Sequence, residues 1–240
     1  MLRPVTRVLF AWAVHFLTAS GAVLGVLALL AVAQGDFPRA AILMLAALAI
    51  DSVDGTLARW LRVAEILPGF DGRRLDDLVD YQNYVIVPAV FMVASGALPG
   101  WGWAALPVLA SAYGFSQREA KTDDHFFLGF PSYWNVVAIY LWQLELSPFS
   151  SAALVTGLAL AVFVPLKYVY PSRLTPLWRT TNAGATVWIV AVAIAIFWQR
   201  ELEGIPLIQI TLLYPAYYIA ISLWLGGWHR RRRAGSKGGC

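Results

Sequence analysis

The chain reads as an all-α polytopic membrane protein: a bundle of about eight transmembrane helices with the N- and C-termini both cytoplasmic. Three observations carry that reading. Apolar residues make up 59% of the 240 and charged ones 13%, with a mean hydropathy of +0.63, whereas a soluble domain carries about 25% charge. Eight apolar stretches approach the roughly 20 residues that a helix needs to cross a bilayer. The basic residues alternate: with the N-terminus inside, sixteen of the eighteen Lys and Arg fall in inner segments, leaving Arg39 and Arg200 outside, the asymmetry of the positive-inside rule. The length suits one transmembrane domain over 1–240 and leaves no room for a sizeable soluble one.

The stretches run over 8–33, 38–58, 80–98, 101–116, 126–144, 150–167, 182–199 and 206–227. The first follows Arg3 and Arg7 and holds Ala31-Val32-Ala33, a pattern shared with secretory signals, but its run exceeds twenty residues and reads as a retained span. The third and fourth read as a hairpin over Gly96 to Gly102. The fourth is the shortest and ends in Ser116-Gln117-Arg118. Trp101, Trp103, Trp198 and Trp228 suit interfacial anchoring. The basic C-terminal tail over 229–240, with Arg230 to Arg233, reads as an orienting stop at an anionic leaflet. A net charge of +4 and pI of 9.3 in so apolar a chain point to loops facing lipid headgroups rather than nucleic acid. The one cysteine, Cys240, excludes an intrachain disulfide and a thiolate metal site. No GxxxG-type face forces a homodimer, which stays open.

Four carboxylates stand where an apolar chain should resist them. Asp51 and Asp54 end the run Ala40 to Ile50, and Asp76 and Asp80 precede the next span. A carboxylate near the bilayer core costs about 2.5–3.5 kcal/mol on insertion scales, so such groups persist when they bind something. Asp51, Asp54 and Ala58 share one helix face, as do Asp76, Asp80 and Tyr84. If the two helices pack side by side, the four carboxylates converge. Oxygen ligands without His or Cys suit hard divalent cations such as Mg²⁺ or Mn²⁺, and two such ions can hold a pyrophosphate. Gly55 and Gly72 remove side-chain bulk, Ala58 leaves space, and Arg59 offers a fork for phosphate.

The string Asp51-x2-Asp54-Gly55-x2-Ala58-Arg59-x12-Gly72-x3-Asp76-x3-Asp80 resembles the signature of the CDP-alcohol phosphotransferase family. The motif covers 51–80, with eight defined positions in order. The gap of twelve between Arg59 and Gly72 is longer than the family's common spacing and looks like the variant of bacterial phosphatidylcholine synthases; the chain length, the span layout and Phe130-Pro131-Ser132-Tyr133-Trp134-Asn135 look like that branch too. The longer gap puts the placement of Gly72 in doubt, not the carboxylates. The resemblance implies a metal-dependent phosphatidyl transfer from CDP-diacylglycerol to choline with release of CMP. Carried over residue by residue, it makes Asp51, Asp54 and Asp76 metal ligands and Asp80 the general base, itself also at the metal. Gly55, Ala58, Arg59 and Gly72 then bind the CDP moiety. It also implies a bacterial inner (cytoplasmic) membrane with the active site facing the cytoplasm.

Choline carries a quaternary ammonium, held by aromatic faces. Tyr81, Tyr84, Tyr133, Trp134, Tyr168 and Tyr170 are the candidates, each equally readable as an anchor or core residue. An acceptor bearing phosphate would need a basic pocket, for which Arg118, Lys121, Arg173 and Arg179 are available, so serine, glycerol phosphate and inositol phosphate remain open. A cation transporter would spread its carboxylates across membrane depth; here they cluster at one boundary.

Overall fold

The structure, a computed structural model, describes residues 4–117, 120–122, 124–173, 176–198 and 206–228. Helix α1 (Pro4–Ala33) and helix α2 (Phe37–Trp60) form an antiparallel hairpin. The turn between them uses Gly35 at φ +74°, and Asp36 caps α2 by accepting from the Arg39 amide at 3.1 Å, while Pro38 fills a first-turn position that needs no donor. Small residues, Ala28, Ala31, Ala40 and Ala41, are fully or almost fully buried along the seam, which lets the two backbones approach closely.

Past α2 the chain turns through Arg62 (φ 53°) into the short α3 (Val63–Ile66). Helix α4 (Gly72–Asp80) begins where Asp71 accepts from the Arg74 amide at 3.0 Å. It runs without a break through a π-helical segment, Tyr81–Ile86, into α5 (Val87–Ala94). Pro88 explains the widened turn: it has no N–H to give and its ring crowds the carbonyl one α-turn back. The π segment faces α1. Gln82 and Asn83 donate to the carbonyls of Ala22 and Gly21 at 2.8 and 2.9 Å. Gly21 and Gly25 are in fact a GxxxG pair, and it is filled from within: a Cβ at Gly25 would collide with Gln82 and Asn83, and one at Gly21 would meet Val79 at 3.0 Å.

The expected hairpin after α5 is present, with Gly96 at φ +78° leading into α6 (Trp101–Ser116). The expected span over 126–144 needs correction. Phe126–Leu128 is strand β1, paired antiparallel with strand β2 (Lys167–Val169), and helix α7 covers only Trp134–Gln143. At about 1.5 Å per residue, ten residues cannot cross a bilayer alone. The cause lies between: Gly129 sits at φ +81° with the Val162 carbonyl against its Cα, Pro131 lacks a donor, and Ser132 is at φ 58°. The expected 150–167 span is likewise shorter, since α8 (Pro148–Ala161) stops ahead of Pro165 and the chain turns into β2.

Helix α9 (Trp178–Phe197) is continuous, and the last span divides at Leu212 into α10 (Leu207–Thr211) and α11 (Leu213–Leu225). Among the described residues four helical segments are at once long and apolar enough to cross a membrane: Val5–Ala33, Phe37–Trp60, Trp178–Phe197 and Leu207–Leu225. The chain is thus a mostly α polytopic membrane protein, with fewer uninterrupted spans than the eight apolar stretches suggest. Its core gathers Phe91, Met92, Trp134 and Leu141 between α5 and α7. Beside it Trp188 donates to the Tyr140 hydroxyl at 2.8 Å, which meets Thr211 at 2.9 Å. The basic tail over 229–240, Arg118 and Arg200 lie outside the described residues.

Candidate active site at a carboxylate cluster

Helix α2 brings Asp51 and Asp54 one turn apart onto the face that meets α1 and the α4–α5 rod. Helix α4 brings Asp76 and Asp80, one turn apart, to the same place. Carboxylate oxygens of Asp51, Asp76 and Asp80 all lie within 4.8 Å of one another. Asp54 lines the same cleft but is held apart: it is 3% exposed and accepts from the Thr18 hydroxyl of α1 at 2.7 Å. Asp51 accepts from the Tyr84 hydroxyl at 2.6 Å. Burial pushes the Asp76 carboxyl above the usual carboxylate range, and the neighbouring Asp51 charge adds to the effect.

Three converging carboxylates repel one another unless a proton or a cation intervenes. The donor set is oxygen only, and this triad can hold a metal ion.

The motif positions Gly55, Ala58, Arg59 and Gly72 are not among the residues that line the cleft. Gly72 is pressed against α1: a Cβ there would strike the His15 ring. His15 itself is 8% exposed and packs on Phe70 and Trp12, with ring centroids 4.5 and 5.9 Å away. The long 60–71 connection therefore reaches back onto α1, where Val63 also packs with Ala11 and Val14, and Ala58 packs beside them. Arg59 is half-buried and donates to the Thr56 hydroxyl at 2.9 Å, and a Cβ at Gly55 would sit 3.2 Å from its guanidinium. Gly72→Ala should lower stability by about 1–3 kcal/mol through overpacking, despite the better helix propensity of Ala. Adding His15→Ala should recover part of the loss. Melting of the single and double variants in detergent checks this, and additive losses would exclude the contact.

The chain is 38% identical over 218 residues to the phosphatidylcholine synthase of Pseudomonas aeruginosa, an alignment that covers 89% of the chain and 91% of that protein. The chain belongs to the phosphatidylcholine synthase family. It is also 45% identical over 168 residues to the phosphatidylcholine synthase of Legionella pneumophila, covering 68% of the chain and 66% of that protein. With that of Borreliella burgdorferi the identity is 31% over 223 residues, covering 91% and 95%. No family model matches the chain.

Within this phosphatidylcholine synthase family member, two of the six candidate aromatics stand beside the carboxylates. Tyr84 is bonded to Asp51, and Tyr133 lies 5.8 Å from it, centroid to centroid. The others are engaged elsewhere. Tyr81 donates to the Val108 carbonyl at 3.0 Å and packs on Phe115. Trp134 is fully buried and donates to Ser111 at 2.8 Å. Tyr168 meets Phe130 and Tyr170 meets Phe127, both at the two-stranded sheet. Two contributors escaped the sequence reading. Thr18 is a hydroxyl inside an apolar span, a weak but available signal. Tyr218 of α11 stands 5.8 Å from Tyr133, and it reaches the site only through the fold.

Proposed function

We propose that the protein transfers the phosphatidyl group of CDP-diacylglycerol to choline, forming phosphatidylcholine and CMP, at the cytoplasmic face of a bacterial inner membrane. The observation that carries the reading is the convergence of Asp51, Asp76 and Asp80 beneath Tyr84 and Tyr133, in a chain of this family. Asp80 accepts the proton of the choline hydroxyl. The choline oxygen then bonds to the lipid-side phosphorus, the bond from that phosphorus to the CMP oxygen breaks, and CMP leaves with the electron pair. Asp51, Asp54 and Asp76, with Asp80, would hold two Mg²⁺ or Mn²⁺ ions, which would neutralise the diphosphate and improve the leaving group. Gly55, Ala58, Arg59 and Gly72 border the CDP moiety, and the lipid tails stay in the bilayer beside it.

The test is transfer of radiolabelled choline by purified protein given CDP-diacylglycerol and Mg²⁺ or Mn²⁺. Label is expected in phosphatidylcholine. No label, with CMP released when serine, inositol phosphate or glycerol phosphate replaces choline, would overturn the acceptor. The rings of Tyr84 and Tyr133 are assigned to the quaternary ammonium, so Tyr84→Ala should raise the KM for choline by about 3- to 30-fold. Tyr84→Phe, which keeps the ring, should stay near wild type in that constant. A choline titration unchanged in the Ala variant would exclude the ring.

A further inference from the structure

A cation stands beside the carboxylates with no part in the chemistry above. Lys121 forms an isolated antiparallel bridge with Phe127 of β1, which in turn pairs with β2. The strand pair is pinned by an ion pair between Lys167 and Asp124 at 2.5 Å, which holds the Asp124 carboxyl below its ordinary range. This strap carries the Lys121 ammonium to 3.8 Å from Asp77 on α4 and 5.8 Å from the centre of the Tyr170 ring. Asp77 follows Asp76 directly, so it points off the face that carries Asp76 and Asp80. Burial works to lower the Lys121 ammonium; Tyr170, Asp77, Asp76 and Asp80 outweigh it and raise the value, so the group stays charged. Its side chain remains 40% exposed.

Charge counting gives this cation a purpose. Four carboxylates and two divalent ions cancel. The donor's diphosphate then adds two negative charges, and a further one develops on CMP as the phosphorus–oxygen bond breaks. Arg59, the cation named by the motif, is half-buried and already bonded to Thr56. Lys121, by contrast, stands 3.8 Å from Asp77, the immediate neighbour of Asp76.

We propose that Lys121 is a donor-binding residue: it leaves Asp77 to pair with a phosphate oxygen of the CDP-diacylglycerol diphosphate, and Asp77 parks it between turnovers. This rests on the donor assigned above and is independent of the acceptor.

The experiment is binding of radiolabelled CDP-diacylglycerol in detergent with Mn²⁺ and no acceptor. Lys121→Gln should weaken binding about 10- to 100-fold, the usual worth of a charge-assisted hydrogen bond. Lys121→Arg should stay within about threefold of wild type, since the charge is kept, and Asp77→Asn should bind at least as well as wild type. Equal binding by wild type and Lys121→Gln overturns the proposal. So does equal weakening in Gln and Arg, or in Gln and Asp77→Asn, because each assigns the lysine to holding the strap on α4. A wild type that turns over another alcohol instead of choline overturns the acceptor and leaves this comparison standing.

Discussion

Asp80→Asn is expected to lower kcat by about 10²- to 10⁴-fold, the range that a positioned general base contributes, while CDP-diacylglycerol still binds. The side chain keeps its shape and one carbonyl oxygen directed at Asp51 and Asp76, whose carboxylates lie within 4.8 Å. What it loses is the capacity to take a proton from the attacking hydroxyl. Single-turnover transfer of labelled choline, with donor binding measured on the same sample, separates the two losses. Transfer retained near the wild-type rate would remove Asp80 from the base role; loss of donor binding in proportion to kcat would make it a ligand first.

Asp51→Ala is expected to act on binding rather than on proton transfer. Asp51 contributes an oxygen to the triad and receives the Tyr84 hydroxyl at 2.6 Å. Its loss opens the ligand set and leaves a buried phenol without its acceptor, a penalty of about 1–3 kcal/mol. Loss of a supporting group around a metal already costs about 10- to 100-fold in affinity, so the metal concentration for half-maximal activity should rise by at least about 100-fold. The KM for donor should rise with it. A metal titration that superimposes on wild type would take Asp51 out of the ligand set.

The carboxylates were legible because their chemistry is local. Asp51, Asp54, Asp76 and Asp80 are costly in an apolar setting, and helical spacing places each pair on one face before any packing is known. The α1–α2 hairpin was legible for a similar reason, a turn sequence between two long apolar runs. Phe126–Leu128 was not, because hydropathy counts side chains, whereas those three residues are placed by backbone pairing with Lys167–Val169, some forty positions away. The pair Gly21 and Gly25 illustrates another limit: spacing announces a close approach but not the partner, and here the partner is the chain's own Gln82 and Asn83. For the aromatics, composition supplied six equivalent candidates, and only packing separated Tyr84 and Tyr133 from Trp134.

The π-helical segment Tyr81–Ile86 makes the middle of the α4–α5 rod a matter of counting. A residue of α-helix turns the chain by about 100°. A π turn holds an extra residue without turning the chain further, so removing one residue between Asp80 and Val87 would let an ordinary helix form with both flanks still in phase. Asp76 and Asp80 would keep their approach to Asp51, and Phe91 and Met92 their place in the core, while the bonds of Gln82 and Asn83 to α1 would be disturbed. In comparisons among relatives, a one-residue alignment gap inside 81–86 would therefore mark an ordinary helix at this place and not the loss of the site.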